Sequence, residues 1–246
     1  MTPVILADLD DTIFTTLKNY QERDPDTLKR VTTAKNGNHS FMCEHRQAIL
    51  AWLAAGATLL PVTARSLDAF RRVHLDIFTE GAIVSNGAMV LNRDGSEDLT
   101  WSKHVAELCR ESDYIIESAA ELISQLPINV RIHRHEHREA LLGMTVKSNV
   151  ESDDGVKMNL GFARQAFIEK YPHSEVSVHM NGNNLAFVPG GVSKRSAVQY
   201  LLSIRDDLQD RPTIGAGDSL ADLPFMELCS MMLVPNKTQN SQKLFA

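Results

Sequence analysis

Cysteine is scarce in this chain: three in 246 residues, Cys43, Cys109 and Cys229, odd in number and far apart. They form no C-x-x-C metal pair and no disulfide framework, so they read as buried or bystander thiols in a reducing compartment. Basic charge is also in deficit, with 25 Lys+Arg against 31 Asp+Glu for a net charge of −6. A general nucleic-acid binder needs a basic face to displace counterions from phosphates, so that class is excluded. Long apolar runs are missing as well. No window approaches the roughly 18 apolar residues that a membrane span requires, so no membrane partner is expected. The opening Met-Thr-Pro-Val-Ile-Leu-Ala-Asp has no positive region and a short apolar run, unlike a secretory signal. The expected location is the cytoplasm.

What is present is an ordinary globular composition, 43% hydrophobic and 23% charged, which excludes a long disordered protein. The length suits one large domain or a core carrying an insert. No internal repeat or low-complexity tract interrupts it.

The apolar run at 3–8 ends abruptly in acids, as a strand buried on both faces of a parallel sheet does. A helix over 44–55 stops at Gly56, a second strand covers 58–63, an amphipathic helix 67–78, and a third strand 82–85. The same alternation returns near the end, with a helix over 194–204, a strand over 212–216, a helix over 220–228 and a strand over 231–234. Strand and helix alternating in this way predict a Rossmann-like, doubly wound α/β core built from both ends of the chain. The middle has a different grammar: a helix over 103–126, strands at 129–133 and 141–147, a helix over 157–171, and a hairpin of 175–180 and 185–188 about Asn181-Gly182-Asn183-Asn184. That α-β-β-α-β-β order predicts an inserted α+β domain at 88–186, with the core formed by 1–87 and 187–246. Residues 16–40 are polar and read as a loop or flap with one helical turn near 26–31.

The chemistry concentrates at Asp8-Leu9-Asp10-Asp11-Thr12. Ligands of open α/β sheets bind beyond the carboxyl ends of the strands, where Asp8 and Asp10 stand. Of two such carboxylates, one can attack an electrophile while the other moves protons. A second acid pair, Asp218 and Asp222, follows the strand at 212–216. Carboxylates gathered at neighbouring strand ends repel one another unless a cation holds them, and hard oxygen ligands with room for water suit Mg²⁺. Thr63 ends a strand, and Lys194 opens a helix after Gly190-Gly191-Val192-Ser193, so both are placed to receive phosphate oxygens.

These four segments resemble the haloacid dehalogenase superfamily of Mg²⁺-dependent phosphohydrolases. Asp8–Thr12 matches its D-x-D-x-T motif, Thr63 its second motif, Lys194 its third, and Gly217-Asp218 with Asp222 its G-D-x-x-x-D motif. The order agrees across essentially the whole chain. The insert is similar to the α/β cap of the subclass that includes Cof-type, sucrose-phosphate and mannosyl-phosphoglycerate phosphatases, and Ser85-Asn86-Gly87-Ala88 resembles the segment leading into that cap. The resemblance implies that Asp8 is the nucleophile that forms an aspartyl-phosphate. Asp10 is then the general acid and base, Thr63 and Lys194 hold the phosphoryl group, and Asp8, Asp218 and the Asp10 carbonyl ligate Mg²⁺. Asp222 orients a metal-bound water or Lys194. Thr12, Arg65 and Asn86 are further candidates, Arg65 either as a phosphate contact or as a salt-bridge partner. The implied activity is hydrolysis of a small phosphorylated metabolite, a sugar phosphate foremost, beneath the cap. The alternatives are a phosphomutase or phosphotransferase with a sugar acceptor, and a non-catalytic phosphosugar-binding protein.

Weaker signals remain. The run Arg131–Arg138 alternates His133, His135 and His137, read as a solvated hairpin end, with a metal or phosphate site as the sharper alternative. Lys147, His179, Asn181 and Asn183 lie near strand ends of the insert and could meet a substrate. Trp52, Trp101 and the Met231–Met232 pair read as packing residues.

Overall fold

The computed structural model describes residues 2–20, 24–35 and 37–244. In chain order the first elements are β1 (Val4–Ala7), β2 (Thr15–Thr16), β3 (Lys29–Arg30), β4 (Ser40–Met42), α1 (Glu44–Gly56), β5 (Thr58–Pro61), α2 (Leu67–Phe70), β6 (Ala82–Val84), β7 (Met89–Leu91) and α3 (Leu99–Ser124). There follow β8 (Val130–His137), β9 (Ala140–Ser148), α4 (Asp153–Lys170), β10 (Ser177–Asn181) and β11 (Asn184–Val188). The chain closes with α5 (Lys194–Ile204), α6 (Asp206–Gln209), β12 (Thr213–Ala216), α7 (Leu223–Met226), β13 (Met231–Leu233) and α8 (Gln239–Leu244). No helix among the described residues is long and apolar enough to cross a membrane.

The chain forms an α/β core with a parallel central sheet and a separate α+β unit, as the strand–helix alternation predicts. Two compact units result, Met1–Ser102 with Ser193–Ala246, and Lys103–Val192. The expected insert was 88–186. Residues 89–91 stay with the first unit because β7 pairs with β6.

In the first unit the parallel sheet has the order β13-β12-β1-β5. Every residue of β1 is buried, which explains its unbroken Val-Ile-Leu-Ala run. Ile5, Ala7 and Leu59 of the sheet share a core with Leu50 and Leu53 of α1. Each of these leucine and isoleucine side chains contributes about 1.5–3 kcal/mol of burial energy. In the second unit the sheet order is β10-β11-β9-β8, antiparallel throughout. Met144, Val146, Leu185 and Phe187 of this sheet pack with Ile116, Ala120 and Ile123 of α3 and Leu160, Ala163 and Phe167 of α4. One sheet face is thereby committed to the helices.

Several expected elements take another form. The 67–78 helix ends after Phe70, because the chain beyond it pairs with the 31–33 segment: Thr33 N–H donates to Arg72 O, and His74 N–H to Val31 O. Phe70, Val73, Leu75, Ile77 and Phe78 still pack on the core, so their apolar spacing records burial and not helix. The 220–228 helix shrinks to Leu223–Met226, with Pro224 in its first turn. The 82–85 strand pairs antiparallel with β7 and meets the central sheet through a Val62–Ile83 bridge. The 16–40 flap carries strand structure, a small sheet ordered β2-β4-β3 with short 3-10 turns at Leu17–Tyr20 and Pro25–Thr27. Residues 21–23 and 36 of that flap lie outside the described residues. Trp52, Met231 and Met232 are exposed instead of packed, the two methionines on the edge strand β13. Trp101 is buried as read.

Candidate active site

The site is built at the carboxyl ends of β1 and β12. Asp8 continues β1, donating its N–H to Ala216 O at 2.9 Å, and this bond fixes where its carboxylate emerges. Lys194 is the first residue of α5, whose start is held by a reciprocal Ser193–Ser196 capping box. From there its side chain turns inward, donating from Nζ to Asp8 Oδ1 and to Asp222 Oδ1, both at 2.6 Å. All three side chains are buried. The other Asp222 oxygen, Oδ2, accepts from Ser219 N–H at 3.0 Å and from Ser219 Oγ at 2.7 Å. Asp222 thus accepts three hydrogen bonds, one of them from the lysine.

Two glycines make this approach sterically feasible. A Cβ on Gly217 would lie 2.4 Å from Asp222 Cβ, so any side chain there displaces Asp222. Gly87, at φ +95°, lies so close to the backbone before Lys194 that a Cβ would stand 2.1 Å from Ser193 O. Trp101 anchors the same turn by donating Nε1–H to Gly87 O at 2.9 Å, and its ring stacks on Tyr200 of α5 at 4.8 Å.

Burial dominates the electrostatics. It pushes the Asp8 carboxyl up, to about 7, against the pull of Lys194 and with Asp222 adding repulsion. It raises Asp218 to about 6, with Asp222 and then Asp11 adding to the effect. Burial opposes the charge on Lys194, but the Asp8 and Asp222 carboxylates outweigh it and keep the ammonium protonated. One positive charge among so many carboxylates leaves the cluster short of cation. Ligand atoms of Asp8, Asp218 and Asp222 all lie within 4.8 Å of one another. These three carboxylates could hold an ion, Asp222 with the fewest open positions because Lys194 and Ser219 already bond to it, and an all-oxygen set fits Mg²⁺.

The remaining sequence candidates separate. Asp10 stands half-exposed in a two-point ion pair: Arg65 Nε donates to Oδ2 and Arg65 Nη2 to Oδ1, both at 2.6 Å. Arg65 thus takes the salt-bridge role, and its guanidinium also sits over the Phe14 ring. Thr12 Oγ1 donates to Asp218 Oδ1 at 3.4 Å, joining the first and last motifs. Thr63 is buried and spends its hydroxyl oxygen on the Arg65 N–H at 3.1 Å. Asn86 adopts φ 57° and donates its backbone N–H to Thr63 O at 3.0 Å, so it shapes the turn. No hydrogen bond links Thr63 or Asn86 to Asp8, Lys194 or Asp218 among the described residues.

Several contributors were not foreseen. Ser219 pins Asp222. Arg46 donates to Thr12 O at 2.8 Å and to Asp11 O at 3.3 Å, fixing the turn after the first strand. Asn240 holds the end of β12, its N–H donating to Asp218 O at 2.9 Å and its Nδ2 to Gly217 O at 3.2 Å. Ser219 was adjacent to a recognised motif and could have been read as its partner, whereas Arg46 and Asn240 act on carbonyls and carry no motif signal.

No family model and no curated sequence matches the chain. Solved structures do. The chain is similar to a trehalose-6-phosphate phosphatase related protein, with TM-score 0.54 and 20% identity over 96% of this chain and 88% of that one. It is similar to the sucrose-phosphatase of Synechocystis, solved with sucrose and phosphate, with TM-score 0.55 and 14% identity over 99% and 96%. It is also similar to the IMP-nucleotidase of Plasmodium falciparum, with TM-score 0.57 and 13% identity over 99% and 68%. At such identities the likeness is one of fold, and the fold is the one that the haloacid dehalogenase resemblance implies.

Proposed function

We propose that this chain is a Mg²⁺-dependent phosphohydrolase that removes phosphate from a small phosphorylated metabolite through an aspartyl-phosphate on Asp8. The observation that carries the reading is the Lys194 ammonium held at 2.6 Å from both Asp8 and Asp222, with Asp218 beside them. A carboxylate attacks a phosphate dianion only when cations screen the repulsion, and this site concentrates the groups that provide them. Asp8 attacks the phosphorus, and the bond to the leaving oxygen breaks. Asp10 gives that oxygen its proton, then takes one from the water that attacks the aspartyl-phosphate, which restores Asp8 and releases phosphate. The Arg65 pair engages both Asp10 oxygens, so Asp10 must leave it before either transfer. Thr63 and Lys194 receive the phosphoryl oxygens. Asp8, Asp218 and the Asp10 carbonyl would hold Mg²⁺, which would supply further neutralisation of phosphoryl charge.

A sugar phosphate is the first candidate substrate, since one of the similar structures is named as related to trehalose-6-phosphate phosphatase and another as a sucrose-phosphatase in complex with sucrose and phosphate. The nucleotidase of the same fold keeps nucleotides in the panel. The test is phosphate release from phosphorylated sugars, acids and nucleotides, with Mg²⁺ and then with EDTA. Release that EDTA abolishes is expected. Conversion to an isomeric sugar phosphate without free phosphate would replace hydrolysis by phosphoryl transfer to a sugar.

A further inference from the structure

The sheet of the second unit has one face packed on α3 and α4, and the strand register fixes what the other face carries. Arg131 stands opposite Lys147, and His133 opposite Thr145. Thr145 pairs in turn with Ala186, which pairs with His179. Cross-strand partners project to the same side, and positions two apart share a face. Arg131, His133, His135, Lys147 and His179 therefore share the face turned away from the helices.

That face holds no Asp or Glu among the described residues of the four strands. A register shift between His135 and Glu136 keeps the nearest acid with Arg134 on the helix side. There Arg134 is neutralised by Glu117 of α3 through hydrogen bonds of 2.8 to 3.1 Å. Arg131 instead donates to neutral acceptors, Ser148 O at 3.2 Å and Asn149 Oδ1 at 2.7 Å. Lys147 has no ion pair among the described residues, and burial together with Arg131 pulls its ammonium below the usual lysine range. Like charges directly across two strands destabilise a sheet. In a chain of net charge −6, an acid-free face with a facing Arg–Lys pair is not what average composition supplies.

We propose that this face, centred on Arg131 and Lys147, binds the anionic group of a small molecule: a phosphate, sulfate or carboxylate. The paired guanidinium and ammonium provide the charge, and His133, His135 and His179 provide ring N–H donors around it. His135 is already oriented, its Nε2 lying 2.8 Å from Thr145 Oγ1. This binding concerns the second unit alone and stands whether or not Asp8 is a nucleophile.

The test titrates sulfate into the full-length, metal-free protein while NMR follows the histidine ring resonances. Saturable shifts of the His133, His135 and His179 signals are expected. Lys147→Met weakens the affinity about tenfold, the scale of one charge-assisted hydrogen bond, and Arg131→Met does the same. Lys157→Met, which removes an equal charge from the exposed surface of α4, leaves it unchanged. Thermal unfolding checks that each variant is folded. Shifts that grow linearly without saturating would overturn the proposal, as would equal weakening by Lys147→Met and Lys157→Met. Binding of heparin with no response to sulfate would also overturn it, replacing a small-anion site by a polyanion surface.

Discussion

Lys194 in the first unit is 5% exposed and shared by two carboxylates, whereas Lys147 in the second faces an arginine and has no acid on its sheet face among the described residues. The contrast follows from solvation. A fully buried ammonium without partners costs several kcal/mol, so Asp8 and Asp222 are structural requirements of Lys194. A half-buried ammonium at a sheet surface keeps enough water to remain charged without a partner, and so is available to a ligand. Internal pairing therefore marks where the chain has arranged its own charge, and missing pairing marks where charge faces outward. In the roles proposed above, the two lysines separate chemistry from recognition.

The largest effect expected is on turnover. Asp8→Asn lowers phosphate release by about a thousandfold or more, because the replacement amide cannot take the phosphoryl group. The variant remains folded by circular dichroism, since Lys194 keeps its bond to Asp222. Next comes the direct contrast of the lysines. Lys194→Met leaves Asp8 and Asp222 buried without their cation and costs about 3–5 kcal/mol of stability in urea unfolding. Lys147→Met changes stability by less than about 0.5 kcal/mol. Equal losses would break the comparison.

Gly217→Ala sharpens it from the steric side. The new methyl would meet Asp222 Cβ at 2.4 Å, and the forced shift costs about 1–3 kcal/mol. Phosphate release falls with it, because Asp222 and Lys194 move together. The smallest effect is a dependence of Mg²⁺ affinity on pH, read by calorimetry. Asp8 is raised to about 7 and Asp218 to about 6 in the metal-free site, so protons compete with the ion as pH falls. Affinity drops about tenfold or more from roughly pH 7.5 to roughly pH 5.5. Affinity independent of pH over that range would remove these carboxylates as ligands.

The parallel core was legible because its strands are buried on both faces and read as unbroken apolar runs, Val4–Ala7 above all. The second unit was legible from its order of helices and hairpins. The helix expected at 67–78 failed because residues such as Val73 and Phe78 are spaced to reach the core from an irregular chain, which periodicity cannot distinguish from a helix. In the candidate site, the gathering of Asp8, Lys194, Asp218 and Asp222 was legible because all four stand at element ends on the carboxyl side of the parallel sheet. Ser219, Arg46 and Asn240 escaped because they hold a partner or a carbonyl, a role set by tertiary geometry. The Arg131–Lys147 pairing escaped for a related reason: it exists only once β8 and β9 adopt their register, and the interleaved Glu136 made the run read as charge-balanced. The Asn181 side chain, named as a possible substrate contact, lies outside what the structure describes. Asn183 is engaged at home: it accepts from Ser148 N–H at 2.7 Å and donates to Ser148 O at 2.9 Å.

The most direct test of the Asp8 account uses Asp10→Asn with an aryl phosphate, whose leaving group needs no proton. Asp8 can still attack, but the base that activates water is gone, so the phosphoryl group accumulates on the enzyme. After acid quench, peptide mass spectrometry is expected to find it on Asp8, and to find none when Asp8→Asn is added or Mg²⁺ is withheld. Release of the aryl alcohol with no phosphoryl group on the Asp8 peptide would contradict the account.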